Sequence, residues 1–433
     1  MYKTNLASPI LDYSNFLVFL FLLLLLPTLL CSASYGSEGP SLSSKKYVAE
    51  KVVGGLETPT GIAFIGEKDI LAVEKNSGKV LRILNGDVLP EPLIDVNVAN
   101  EVERGLLGIS VANNSADDKM YVFLFYTEAR DEDGGEAIGN RLYRYEFVGN
   151  KLINPKLLLD LPYLPGPAHN GGVVTVGPDN HVYVVVGNLL ASASERFAGN
   201  SLDQNIENGN APDGRGGILT VTQDGEVVNG EGILGDEHPL DLYYAYGIRN
   251  SFGLTFDPIS GKLWDTENGG GYDEINLVEP GFNSGWEKVI GKASLLEDFN
   301  QDELVDFDGK GKYSDPEFSW ISDSDFRTAP TSIVFFNSDR FGQQYENDVF
   351  VGDVRGNIYH FNVDKDRTDL LLNGPLADEV ANDFSEIEDL IFARFPGVIT
   401  DLKVGPDGYL YILLYQVQGQ EDGELYRIIP SST

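Results

Sequence analysis

The strongest constraint on this chain is a phrase it repeats six times: a small or Gly-rich opening, an apolar strand, a turn, a second strand, another turn and a third strand. It first reads TPTGIAFIGEKDILAVEKNSGKVLRIL (58–84), then RGLLGISVANNSADDKMYVFLFY (104–126), closing on NRLYRYEF (140–147). NGGVVTVGPDNHVYVVVGN (170–188) closes on GRGGILTVTQDG (214–225), and NSFGLTFDPISGKLWDTEN (250–268) closes on DEINLVEPG (273–281). The last two copies are APTSIVFF (329–336) with NDVFVGDVRGNIYHFNV (347–363), and GVITDLKVGPDGYLYILLY (397–415) with GELYRIIP (423–430).

Val, Ile, Tyr and Phe alternate with polar residues at a period of two, which is the pattern of short half-buried strands. Gly, Pro, Asn and Asp punctuate them, as at Asn76-Ser77-Gly78 and Pro406-Asp407-Gly408. A unit of three or four strands recurring every roughly 45–80 residues predicts an all-β fold, a six-bladed β-propeller with four-stranded antiparallel blades. One blade cannot bury both of its faces, whereas six in a ring can. The strand YVAEKVVGGL (47–56) is expected to complete the last blade and remove an exposed edge. The turns leading into the innermost strands of a propeller converge on one end of its channel. Glu103, His169, Arg249, Arg327 and Thr400 lie at or just before their copies of the phrase, so the site is expected there.

The organisation read from the sequence is an N-terminal signal peptide or anchor (1–34), a Ser- and Gly-rich linker (35–46) and the propeller domain (47–430). The apolar run FLVFLFLLLLLPTLLC (16–31), followed by small residues, resembles an export signal, with an uncleaved membrane tether as the alternative. The protein is therefore expected outside the cytoplasm, secreted or anchored at the outer face of the membrane. Its only cysteine, Cys31, falls in that segment, which excludes thiol catalysis and Cys-based zinc sites from the domain. A net charge of −36 makes nucleic acid a poor partner and favours cations.

Six stretches carry a resemblance: ERGLLGIS (103–110), AHNGGVVTVGPD (168–179), YGIRNSFGLTFDP (246–258), LWDTENGGGYDEINLVEPGFNSGW (263–286), APTSIVFF (329–336) and LKVGPDGYLYIL (402–413). In order and wording the chain resembles the soluble glucose, aldose and sorbosone dehydrogenases that depend on pyrroloquinoline quinone (PQQ), over roughly residues 47–430. The resemblance implies oxidation of a small-molecule sugar by hydride transfer from C1 to the quinone, with electrons then passed to an unknown acceptor. It makes His169 the general base, as suits an imidazole titrating near working pH. It places Arg249 against the quinone carbonyl and Asn250 on the cofactor. It assigns Ca²⁺ to the carbonyls of Gly269 and Gly270, and a structural Ca²⁺ to Glu274 and the carbonyl of Ser284.

The pattern also departs from the family. Glu103 stands where some members have Gln, and Asn188 where some have Asp. Thr400 replaces an Arg that grips a PQQ carboxylate, and the family's fifth-blade Lys falls on Val354 or Arg355. Arg327 could substitute as a clamp. The cofactor-binding set is therefore Glu103, Asn188, Arg249, Asn250, Arg327 and Arg355. A non-catalytic binding propeller of the same fold is the alternative function.

Overall fold

The computed structural model describes residues 39–114, 119–191, 200–228, 232–322, 326–415 and 423–431. The expected signal or anchor segment (1–34), with Cys31, lies outside these residues. Among them, no helix is long and apolar enough to cross a membrane.

The strands assemble into six sheets, each with one innermost strand: β1 (Pro59–Gly66), β2 (Leu106–Asn114), β3 (Val174–Val176), β4 (Ser251–Phe256), β5 (Pro330–Phe335) and β6 (Val398–Val404). Each innermost strand touches the next, and β6 returns to β1, so the sheets close into a β-propeller around a central channel. The N-terminal strand expected to finish the last sheet does so: Tyr47–Leu56 pairs antiparallel with Gly423–Pro430, from Tyr47↔Pro430 to Leu56↔Gly423. The ring is thereby fastened by both ends of the domain.

The expected four-stranded blades need correction, because the sheets carry four to six strands. The extra strands are two residues long and sit on outer edges. Phe282–Asn283 and Lys312–Tyr313 extend the third sheet in parallel pairing, and Val380–Ala381 extends the fourth. The stretch read as a linker enters the fold early, since Ser41–Leu42 pairs with Ala393 and Arg394 on the fifth sheet. These additions cover backbone edges that would otherwise be open to another strand.

The core lies between the sheets. Phe123 and Phe125 of the second sheet pack with Val182, Val184 and Tyr243 of the third. Trp264 and Phe318 of the fourth meet Ile333 and Tyr359 of the fifth. Leu56, Tyr411 and Leu413 meet Ile62 and Ile70 where the ring closes. The period-two pattern supplies one apolar face to each neighbouring sheet, so both faces of every sheet are buried.

Candidate functional site

The turns leading into the innermost strands hold unusual backbone conformations. Thr58, Val102, His169 and Ala329 have φ of 46°, 58°, 58° and 46°, the left-handed region that L-residues seldom occupy. All four stand at the same end of the channel, immediately before β1 and β5 or a few residues before β2 and β3. Such positions persist only where surrounding bonds impose them, and they concentrate at functional sites.

Glu103 imposes part of this arrangement. Its Oε2 accepts from the backbone N–H groups of His169 (2.7 Å) and Asn170 (3.3 Å) and from Asn250 Nδ2 (3.2 Å). One carboxylate thus ties the turns before β2, β3 and β4. Asn250 Oδ1 in turn accepts from Gly171 N at 3.3 Å. Burial pushes the Glu103 carboxyl above its ordinary value, while these donors and the nearby Arg249 charge oppose that rise. Expected as a cofactor contact, Glu103 is also a hub for three site loops.

His169 and Arg249 are brought together through Gly187. A Cβ at Gly187 would lie 2.3 Å from the His169 carbonyl oxygen and 2.9 Å from that of Arg249, so only glycine admits both turns. The next residue, Asn188, donates its N–H to Arg249 O at 2.9 Å. The His169 ring is buried, with Nδ1 2.8 Å from the Asn188 side-chain amide, and among the described residues no hydrogen bond engages its Nε2. Burial holds the imidazole well below its ordinary value of 6.5, and the Arg249 charge adds to this. His169 is therefore neutral at pH 7.

Arg249 is positioned by its own backbone and head group. Its N–H donates to Glu267 Oε1 (2.6 Å), its Nη1 to Asn268 O (2.7 Å), and its guanidinium lies 5.4 Å from the Trp286 ring centroid. Its Nε is buried without a partner among the described residues. Gly270 lies beside it, since a Cβ there would come 3.9 Å from Arg249 Nε, and Gly269 N donates to Asp273 Oδ1 at 3.2 Å. The glycines expected to present carbonyls to a metal are thus next to the arginine.

Behind them lies a group of buried acids. The Ser284 hydroxyl stands 2.7 Å from Glu267 Oε2 and 3.3 Å from Glu274 Oε2, and Asp265 lies on the same strand as Glu267. Burial raises all three carboxyls, Asp265 to about 7. Among the described residues no three His, Cys, Asp or Glu side chains converge as a metal site.

A cavity of about 260 Å³ opens along the channel, mostly apolar, with Lys75, Glu103, Asp401 and Lys403 as its charged wall residues. Lys403 pairs with Asp401 at 3.1 Å. Lys75 donates to Asn76 Oδ1 (3.0 Å) and Asn100 O (3.2 Å), which among the described residues leaves one of its three N–H groups over. Burial lowers its pKa to about 8, against the pull of Glu103. Thr400 and Val354, where the family resemblance implied cations, line the same cavity.

Arg355 departs from expectation. Its N–H donates to Asp353 Oδ1 (2.9 Å), and its guanidinium sits 4.3 Å from the Phe384 ring centroid rather than in the cavity wall. The tight turn after Val349–Asp353 directs Val354 inward and gives Arg355 an aromatic face. Arg327 stands between buried Phe326 and Thr328 just ahead of β5, and the following Ala329 N–H donates to Asp273 Oδ2 at 2.8 Å.

Sequence reasoning missed Lys75, Trp286 and Asn268. Lys75 follows an ordinary-looking strand, and the packing of the second sheet against the first brings it beside Glu103. Trp286 closes a quoted stretch, but nothing in its spacing connects it with Arg249.

A family model described as Glucose / Sorbosone dehydrogenase matches residues 56–427. The uncharacterized protein slr1608 of Synechocystis sp. is 27% identical over 386 residues, covering 86% of this chain and 85% of that protein. The aldose sugar dehydrogenase YliI of Escherichia coli is 25% identical over 409 residues, covering 93% and 97% respectively. The PQQ-bound aldose sugar dehydrogenase of Streptomyces coelicolor has the same fold, with a TM-score of 0.61, 23% identity, and coverage of 90% of this chain and 99% of that one. The matched span takes in every one of the six sheets and every residue of the cluster around Glu103, and on that ground the chain belongs to the glucose/sorbosone dehydrogenase family.

Proposed function

We propose that this protein oxidises an aldose or related sugar outside the cytoplasm, with PQQ and Ca²⁺ as cofactors and His169 as the general base. The observation that carries this reading is the gathering of His169, Arg249 and Lys75, from three different sheets, around Glu103, which with Lys75 lines the cavity. Membership of the sugar dehydrogenase family supports it.

The residues present fit PQQ. Arg249 Nε and the third N–H of Lys75 are buried or half-buried donors without an acceptor among the described residues, and a carbonyl or carboxylate oxygen would satisfy each. Apolar walls suit a flat ring system. Ca²⁺ takes hard oxygen ligands: the carbonyls of Gly269 and Gly270 would offer them at the turn beside Arg249, and Glu274 with the carbonyl of Ser284 would offer a second, structural position.

When bound, PQQ supplies a quinone that takes up two electrons with the C1 hydride of the sugar. Arg249 places a fixed positive charge in a buried site, where it stabilises developing negative charge far better than it would in water. Neutral His169 offers the sugar hydroxyl an imidazole whose Nε2 has no hydrogen-bond partner among the described residues. Glu103 fixes the backbone that carries the imidazole, and since Lys403 is paired with Asp401 and Val354 and Thr400 supply no charge, Lys75 is the cavity cation left to meet an anion. The domain proposed to carry this chemistry spans residues 47–430, preceded by the signal or anchor segment.

The test is dye reduction by purified protein reconstituted with PQQ and Ca²⁺ across a panel of aldoses. Sugar-dependent reduction is expected, and His169→Ala should lose at least about 10²-fold in rate while still binding PQQ. Equal turnover in that variant would remove His169 from the role. PQQ binding without any sugar-dependent reduction would favour a binding propeller.

A further inference from the structure

The amide of Asn188 has two orientations, and its neighbours choose between them. If Oδ1 faced His169, it would also face the Arg249 carbonyl oxygen, and Nδ2 would face the Trp286 indole N–H. Acceptor would then meet acceptor and donor meet donor. In the other orientation every atom is matched. Asn188 Nδ2 donates to His169 Nδ1 at 2.8 Å and to Arg249 O at 3.3 Å, and Oδ1 accepts from Trp286 Nε1 at 3.0 Å. Two groups outside the histidine, a main-chain carbonyl and an indole N–H, therefore fix the amide.

The consequence falls on the imidazole. A neutral histidine carries one ring proton, and a nitrogen that accepts a hydrogen bond is the one without it. We infer that Asn188 is a positioning residue that holds resting His169 as the tautomer protonated on Nε2, so that Nε2 is a donor and the Nδ1 lone pair is spent on Asn188. This rests on the dehydrogenase reading only for its catalytic consequence. To take a hydroxyl proton at Nε2, the ring must first move its proton to Nδ1, and the Asn188 amide must turn over. That breaks the bonds to Trp286 and Arg249 O and sets like groups against each other. A carboxylate at 188 would instead accept from Nδ1–H and free Nε2, so asparagine acts as a brake on proton removal. A triad whose orienting aspartate becomes asparagine loses turnover through the wrong tautomer in the same way.

Two measurements test this. In the ¹⁵N-labelled wild-type protein at pH 7.5, correlation of ring C–H protons with ring nitrogens shows which nitrogen is protonated. The chain has four histidines, so His169 is assigned by the signals lost in His169→Ala. The proton is expected on Nε2 in the wild type and on Nδ1 in Asn188→Asp. The reconstituted Asn188→Asp protein should also turn over sugar at least about tenfold faster, with its KM nearly unchanged. A wild-type proton on Nδ1 overturns the inference whatever the activity. Unchanged or lower kcat in a folded, PQQ-binding Asn188→Asp protein overturns the brake. The expected tautomers with no turnover in either protein support the Asn188 assignment and instead remove the dehydrogenase reading.

Discussion

At the scale of single residues, the site is governed by what burial does to charge. His169 is driven neutral by desolvation and by Arg249, so the pH profile of kcat/KM should lose activity on the acid side only below the ordinary histidine value of 6.5. An acid limb centred at or above 6.5 would contradict that environment. With Lys403 paired to Asp401, Lys75 is the cation that the cavity offers where Val354 and Thr400 do not. Lys75→Met should weaken PQQ binding by roughly tenfold, the worth of one charge-assisted hydrogen bond, as read by equilibrium titration. Unchanged affinity would leave Arg327 as the cation to test next. His169 and Arg249 were legible in the sequence because each stands in a quoted stretch at the head of a repeated phrase. Lys75 was not, since its significance depends on three-dimensional neighbours, Asn100 and Glu103, that belong to the next sheet.

At the scale of elements, close approach between turns is what assembles the cluster. Gly187→Ala should push the His169 and Arg249 turns apart. It should lower kcat/KM far more than it lowers thermal stability, which a parallel melting curve would check. The opposite pattern would show that Gly187 serves the core rather than the site. A different device joins the fourth and fifth sheets. Arg367 binds Asp257 with both Nε and Nη2 at 2.8 Å and also donates to Asn347 O at 2.7 Å. Although burial alone would raise it, the Asp257 carboxyl is held below its ordinary value by Arg367 and Ser260. A depressed carboxylate adds stability above its unfolded pKa and loses it as pH falls through the folded one. Arg367→Ala should therefore cost about 3 kcal/mol at pH 7, and the gap to wild type should narrow below about pH 4, as denaturant titrations would show.

The long strands were readable from the sequence because alternation over five or more residues leaves a clear period. The strands Ser41–Leu42, Phe282–Asn283, Lys312–Tyr313 and Val380–Ala381 were not, because two residues carry no period and their pairing is decided by the edge they cover.

At the scale of the whole molecule, closure of the ring is the condition for everything else. Turns separated by tens to hundreds of residues face one another only because β6 packs back on β1 and the strand Tyr47–Leu56 seals the last sheet. Removing residues up to Leu56 should open the Gly423–Pro430 edge and unseat Leu56 from its cluster with Ile62 and Leu413, giving aggregated protein on size-exclusion chromatography. A monomeric truncation with native melting behaviour would show that the ring closes without that strand.

The measurement that bears most directly on this account is a single-turnover absorbance experiment under anaerobic conditions. Protein loaded with one equivalent of PQQ and with Ca²⁺ is mixed with an aldose while the spectrum of the bound oxidised quinone is followed. Loss of that spectrum in the wild type, faster in Asn188→Asp and absent in His169→Ala, is the predicted result. A quinone that binds tightly yet stays oxidised with every aldose, in all three proteins, would contradict it.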